Sequence, residues 1–432
     1  MKSRAALLAG AFALIISLSN ILTISTNGSN YSESFPAMVC PPIGKGEISY
    51  VSLNSKQTQV RKTGISAMTY KSSQSTRPQG TNQALVVDSQ EITPITWMAQ
   101  QNVWAGAQTC LAPISSQWLV GATADVTSKG VLTLVNSGLG KALVSVDIFT
   151  ENGVQAEQQV QLKANSIDRI TLASLVPGAT SIALHITAQT GRVSAFLTDI
   201  RGRGLRSLGG DVVNPSAEAS KSLIIPAIPH LVVRGKALPH SLRILVPGDV
   251  DAHISAVIYS TDGTFAPAGL DGRTISAGRV IDIPLNVVMK TGKFALGITS
   301  DRPIVASVNS RTTALGKTDF VWSTSTSELI PSAYAVTGLN PTLVFTSEKV
   351  SVGLDLTTTK GKIRHIDLRG EGIATYVVPD GIKVVRITSV SSKTYGAALI
   401  ATKSGYGFAP LVPGSALTRY SVPHANIRVL VP

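Results

Sequence analysis

Residues 132–153 read LTLVNSGLGKALVSVDIFTENG, and the same plan returns at 242–263 as LRILVPGDVDAHISAVIYSTDG. In each copy two runs of alternating apolar residues flank a glycine-containing turn. Side chains two apart share one face of a strand, so the pattern specifies a half-buried antiparallel hairpin. The copies align without a gap: Leu132, Leu134, Val144, Val146 and Ile148 fall on Leu242, Ile244, Ile254, Ala256 and Ile258. A weaker third copy carries Val352, Leu354 and Leu356 and ends in Gly361, where the others end in Gly153 and Gly263.

The segments C-terminal to each hairpin repeat as well. The first copy continues through Val160, Leu162, Ile170 and Leu172 to two closing strands at 182–187 and 192–200; the second continues through 275–285 to 294–300 and 303–310. Ile186-Thr187, Ile298-Thr299 and Ile387-Thr388 occupy one place in the plan. Val193, Ala195 and Leu197 match Ile304, Ala306 and Val308, and then Tyr395, Ala397 and Leu399. About seven short strands per roughly hundred residues, punctuated by Gly, Pro, Asn and Asp, predict two-sheet antiparallel sandwiches of immunoglobulin-like type. The period is too long for solenoid or propeller units, which favours beads on a string.

The expected fold is therefore all-β: tandem sandwiches after an N-terminal membrane segment. The 432 residues divide into a membrane segment (1–24), an N-terminal β region (25–112) and sandwiches at 113–210, 211–318 and 319–432. Residues 52–82 are polar and read as a surface excursion. Proline-bearing joints recur as SLIIPAIP (222–229), ELIPSA (328–333) and FAPLVP (408–413). Proline has no N–H for a sheet ladder, so these joints are expected at edge strands or crossings. A net charge of +13 is scattered along strands and turns without a basic block. Without basic and aromatic interleaving, nucleic acid is not an expected partner.

Lys2 and Arg4 precede the uncharged run AALLAGAFALIISLSNILTI at 5–24, which is long enough to enter a bilayer. Its length favours an uncleaved anchor, whereas Ser17, Ser19 and Asn20 favour a cleaved signal peptide. Both place the remainder outside the cytoplasm, anchored in the membrane or secreted. Cys40 and Cys110 are the only cysteines. In an oxidising compartment such a pair is expected as a structural disulfide.

No nucleophile elbow, H-E-x-x-H, Walker loop or C-x-x-C is present. Neither a catalytic residue, a metal nor a cofactor is expected. GRGLRSLG at 202–209 opens like a nucleotide loop but precedes no amphipathic helix. Its Arg203 and Arg206, with the adjoining Arg201, are candidate contacts to phosphate or carboxylate groups. His185 and His253 fall opposite the apolar rows of their strands and read as exposed. Asp249, Asp251 and Asp262 read as turn formers, with calcium binding the alternative. Trp97, Trp104, Trp118 and Trp322 are candidates for a sugar-stacking platform, although Trp118 reads as core.

LVPGD at 245–249, FAPAGL at 265–270, TSDRPIVA at 299–306 and GRVSA at 191–195, with the early Cys40-Pro41, resemble the actinobacterial exported family catalogued as domain of unknown function 5719. The resemblance implies an extracytoplasmic envelope protein and carries no catalytic residue. Taken together, the expected role is a non-enzymatic scaffold or interaction module for an envelope protein or cell-wall glycan. The alternative is a carbohydrate-binding accessory of a membrane glycosyltransferase or polysaccharide exporter.

Overall fold

A computed structural model describes residues 31–34, 37–44, 46–54, 58–64, 71–73, 83–88, 91–100, 103–204, 206–314, 316–414 and 420–423. The expected membrane segment at 5–24 lies outside these residues, as does the 74–82 part of the polar excursion. Among the described residues no helix is long and apolar enough to cross a membrane. The chain forms two units. One, Met1–Phe35 with Leu417–Pro432, contains an antiparallel pair of Tyr31–Ser34 with Tyr420–Pro423. The other, Pro36–Ala416, contains every element discussed below.

In the first repeat two sheets face each other across one apolar core. One sheet is ordered Ser166–Thr171, Val131–Asn136, Ser194–Arg203, Arg206–Val213; the other runs Gly153–Val154, Ala142–Thr150, Ile182–Thr190, Ser116–Val120, with Gln158–Leu162 also on Ala142–Thr150. Leu132, Leu134, Ala195 and Leu197 from the first sheet meet Val144, Val146, Ile148, Leu184 and Ile186 from the second. All nine are the inward members of alternating runs, and burying each of the larger aliphatic side chains contributes about 1.5–3 kcal/mol. The one described helix, Leu172–Leu175, closes an end of this core with Leu172.

The other two repeats use the same plan in the same register. Val146 pairs with Ile186, Ala256 with Ile298 and Leu354 with Ile387. Likewise Leu132 pairs with Leu197, Leu242 with Val308 and Thr342 with Leu399. Each repeat has its own core cluster. The differences lie in the bends. In the second repeat Gly292–Ala314 runs unbroken through both sheets, where the first repeat has two strands. In the third, the hairpin turn is replaced by a bulge between Ser347 and Lys349 inside the single strand Thr342–Thr358.

Two expectations are corrected. An immunoglobulin sandwich pairs its first strand with its second and its seventh with its sixth. Here the first strand, Ser116–Val120, pairs instead with Ile182–Thr190, and Ser194–Arg203 pairs with Val131–Asn136. The first and penultimate strands have thus exchanged sheets relative to that order. Nor are the repeats beads on a string, because residues on the outer faces of the sheets are buried between modules. Trp118, Val120, Phe149 and Ala183 of the first module pack on Leu245, Val280 and Val305 of the second. Ala227, with Val321 from Lys317–Thr324, a strand that pairs with Gly292–Ala314 and so belongs to the second module, packs on Val344, Ile373, Ala397 and Phe408 of the third.

The N-terminal region is not a separate sandwich. Glu47–Val51, Ile92–Gln100 and Trp104–Thr109 form an antiparallel set, and Ile92–Pro94 pairs in parallel with Ala333–Ala335 of the third module. Ile95 and Ala107 enter the third module's core. Cys40 and Cys110 form the expected disulfide, inside a small cluster with Met38, Val51, Leu53, Leu85 and Val87. Of the proline joints, Ser220–His230 is a sheet edge with a bulge between Ile225 and Ile228, which accommodates Pro226. Ser332–Ala335, by contrast, is paired on both sides.

Candidate binding cleft and buried polar clusters

Where the N-terminal strands meet the third module in one continuous sheet there is a cleft of about 570 Å3. Tyr50 and Trp97 stand directly opposite in the antiparallel register and line one wall. Leu339 and Ile400 line the other, and Thr402, Lys403 and Ser404 form the rim. Gly338, at φ 71°, leaves room for the tyrosine: a Cβ there would come 3.1 Å from the Tyr50 hydroxyl. The Trp97 indole Nε1 is buried without a hydrogen-bond partner. Aromatic faces above a hydroxyl-bearing rim suit a ligand with apolar C–H faces and several hydroxyls. Of the four tryptophans considered as a platform, Trp97 alone is partly exposed. Trp104, Trp118 and Trp322 are buried, which dissolves the four-residue platform.

At the centre of the unit the last strands of the modules converge. Arg206–Val213, Lys317–Thr324, Gly405–Pro410 and Trp104–Thr109 approach so closely that a Cβ on Gly407 would lie 2.6 Å from the Ala107 nitrogen. Asn214 Nδ2 donates to the carbonyls of Ala107 (2.9 Å) and Phe408 (2.7 Å). Three fully buried aspartates also hold this ground. Asp211 accepts from Trp322 N, Asp199 from the Trp322 indole at 2.9 Å, and Asp319 from Gly210 N at 3.1 Å. Burial drives the Asp211 carboxyl well above its ordinary range, reinforced by the charges of Asp319 and Asp199. Burial likewise raises Asp319 to about 7 against three backbone donors.

The arginine cluster divides. Arg201 is committed to this centre, with Nε 2.9 Å and Nη2 2.8 Å from Asp199 Oδ2 and its guanidinium 4.5 Å from the Phe320 ring centroid. Arg203 and Arg206 pair across the exposed tip of the hairpin. Those two are the exposed members of the anion-contact set, whereas Arg201 is half-buried and already paired.

A fourth arginine, not singled out by the sequence, joins the first two modules. Arg243 is 2% exposed, and its guanidinium holds Asp282 with two 2.8 Å bonds. It also donates to the carbonyls of Ala122, Ile182 and Thr180 in the first module. Asp282 is desolvated, but Arg243 and Ser181 more than offset this and hold its carboxyl below the usual range.

The histidines sit in hydrogen-bonded chains. His185 stacks on Trp118 at 4.2 Å and links Asp147 (Nδ1, 3.2 Å) to Ser116 (Nε2, 3.1 Å). It is half-buried rather than exposed. The order Ser, His, Asp resembles a nucleophile with its base and orienting acid. However, the Ser116 hydroxyl also lies 3.0 Å from the Glu218 carboxylate, which competes with His185 Nε2 for its single proton. In the second module His230, His240 and Ser310 form a buried chain with contacts of 2.9 and 2.8 Å. Burial, helped by the neighbouring His230, lowers His240 to about 4. His253 is exposed beside Thr274. Asp251 accepts the Ala277 N–H at 2.9 Å as a turn residue, while Asp249 and Asp262 are exposed. Among the described residues no group of three His, Cys, Asp or Glu is placed to hold a metal ion.

The model of a family of unknown function, DUF5719, matches residues 73–372. The chain belongs to that family. The match covers the central strands of the DUF5719 chain and both complete repeats, and it ends inside the third module. No curated protein matches. Among solved structures, the crystal structure of Thermotoga maritima 1070 is similar over 24% of this DUF5719 chain and 96% of its own, at 12% identity and a TM-score of 0.23. A structure of the infectious bursal disease virus Gx strain aligns over 89% of this chain and 86% of its own, at 13% identity and a TM-score of 0.14.

Proposed function

We propose that this protein is a non-catalytic, extracytoplasmic envelope scaffold, membrane-anchored or secreted, that presents a composite surface to an envelope protein or a cell-wall glycan. The observation that carries the reading is the position of the Trp97–Tyr50 cleft. It exists only where the N-terminal strands lie against the third module, so the binding surface depends on the assembled unit. The disulfide supports an oxidising compartment. Two features support a non-enzymatic role: the Ser116 hydroxyl is shared between His185 and Glu218, and Ser310 is fully buried.

The aromatic wall favours a second reading, a carbohydrate-binding accessory of a membrane glycosyltransferase or polysaccharide exporter. A glycan array and a pull-down from solubilised envelope separate the two. Stoichiometric recovery of one protein without saccharide binding supports the scaffold. Saccharide binding lost in Trp97→Ala supports the accessory. Neither result, or a cytoplasmic location in a reporter-fusion assay, removes both.

A further inference from the structure

Each module leaves two connections side by side at one end of its sandwich. They are residues 121–130 and 172–181 in the first, 231–239 and 286–291 in the second, and 336–341 and 378–381 in the third. In the second module His230 pairs with Gly292 and His240 with Leu285, so both connections leave from the same end. The three ends differ in charge. The first carries Asp125 and Lys129, and the third carries Asp380 alone. The second carries Arg234, Lys236 and Lys290 and no acidic residue. Lys293, paired with Pro229, and Arg311, whose N–H donates to the Pro239 carbonyl at 3.0 Å, stand just behind them.

The same end is apolar at its tips. Val232 and Val233 pair with Ala237 and Lys236 around a turn made by Arg234 (φ 51°) and Gly235 (φ 77°). Positive φ at both central residues, as in a type I′ turn, favours Asn, Asp or Gly at the first, yet this turn places an arginine there. The Val232 N–H donates to Thr291 Oγ1 at 3.0 Å and fastens the hairpin to the second connection. In that connection Val287 is buried and Met289 packs on the module core, which turns Val288 outward to 92% exposure. Val233 is 40% exposed. Among the described residues none of Arg234, Lys236, Lys290, Lys293 and Arg311 makes a salt bridge.

We propose that this end of the second module rests on an anionic lipid surface. Val233 and Val288 enter the boundary between headgroups and acyl chains, and Arg234, Lys236 and Lys290 meet the lipid phosphates. Lys293 and Arg311 add to the attraction from behind. A protein partner suits this end less, because interface cores are depleted in lysine and enriched in aromatic residues, of which these two connections contain none. A soluble acidic polymer would use the cations but leave both valines in water. The contact is separate from the Trp97–Tyr50 cleft and does not depend on what binds there.

The test is hydrogen–deuterium exchange of the full chain with vesicles of phosphatidylcholine alone, and with vesicles that also contain about 30% phosphatidylglycerol. Amides of 231–239 and 286–291 are expected to exchange several-fold more slowly with the anionic vesicles, while 121–130 and 336–341 stay unchanged. The readout is local, so vesicle capture through the uncharged run at 5–24 does not imitate it. The Arg234→Glu/Lys236→Glu/Lys290→Glu variant, altered at exposed positions, should abolish the slowing with an unchanged melting temperature. Val288→Asp should weaken it. No slowing, equal slowing with both vesicles, or slowing that survives these substitutions overturns the inference. So does the same slowing with soluble polyglutamate, which would assign this end to an acidic polymer. Trp97→Ala should leave the slowing intact, which keeps this contact distinguishable from the first cleft.

Discussion

Ile244 and Arg243 are neighbours in one strand, and both are buried, but they point into different surroundings. Ile244 faces the apolar interior of its own module, among the inward residues of two sheets. Arg243 faces the other way, into the first module, and needs the carbonyls of Ala122, Ile182 and Thr180 together with Asp282 to be tolerated there. The interiors of the modules are non-directional and forgiving of exchange. The ground between them adds charges, carbonyls and close glycines to its apolar contacts, and each of those polar groups depends on a specific partner. Hydrophobic burial makes the modules and part of each seam, and directional contacts fix how they join.

The largest test of that contrast is Arg243→Ala. Arg243 is buried but the Asp282 side chain is 37% exposed, so water answers part of the carboxylate; with several carbonyls also left unanswered, the loss in chemical denaturation should be about 3 kcal/mol, the lower end of the range for a fully buried pair. A loss below about 1 kcal/mol, the usual scale of an exposed pair, would mean that the seam is not a determinant. Next, Leu134→Ala in the first core should cost about 3 kcal/mol by transfer and cavity terms. Because the seams couple the modules, calorimetry should show one transition moving as a whole. A separate early transition for the first module would break the comparison.

Acid separates the two regions by sign. Asp319, at the shared centre, has a folded value raised to about 7, so its neutral form is favoured in the folded chain. The destabilisation is complete above about 7 and relieved progressively as pH falls towards the ordinary carboxylate value. Asp319→Asn should therefore exceed the wild type in stability at about pH 8, and the gap should close by about 2 kcal/mol on going to about pH 5.5. His240, inside the second module, acts in the opposite sense. Its folded value is lowered to about 4, so the unfolded chain binds the proton first and stability falls as pH drops below about 6.5. That fall, about 1 kcal/mol by about pH 5.5, should vanish in His240→Gln. The smallest effect belongs to the hairpin tip: Arg203→Ala and Arg206→Ala should each stay within about 0.5 kcal/mol.

The module interiors were legible because alternation with period two names its inward residues. Leu132, Leu134, Val144, Val146 and Ile148 are all buried where the pattern puts them. The disulfide was legible because the chain offers one possible pair. The seams were less legible, although they left a trace. Leu119-Val120, Ile148-Phe149, Ile244-Leu245 and Ile304-Val305 are adjacent apolar pairs that break the alternation, and their second members are the seam residues. Strands covered on both faces lose the polar half of their pattern, and that signal was available. Arg243 gave no such sign, since an outward arginine in HSLRIL reads as solvated. The cleft was hidden for a different reason. Tyr50 and Trp97 are brought together by strand register, and Leu339 and Ile400 are set against them by module packing, neither of which one sequence displays.

The parallel pairing of Ile92–Pro94 with Ala333–Ala335 sets an order of events for a chain synthesised from its N-terminus. Val39, Ala84 and Val86 can pack on Val135 and Phe196 of the first module as soon as it forms, but the Ile92–Pro94 edge finds its strand partner only when the last module has emerged. Long-range closure of this kind slows folding and lengthens the interval in which unpaired strand edges are exposed. A chain truncated before residue 333 would therefore leave Ile92–Pro94 unpaired and Ile95 and Ala107 without their core, near the beginning of the chain as well as at its end.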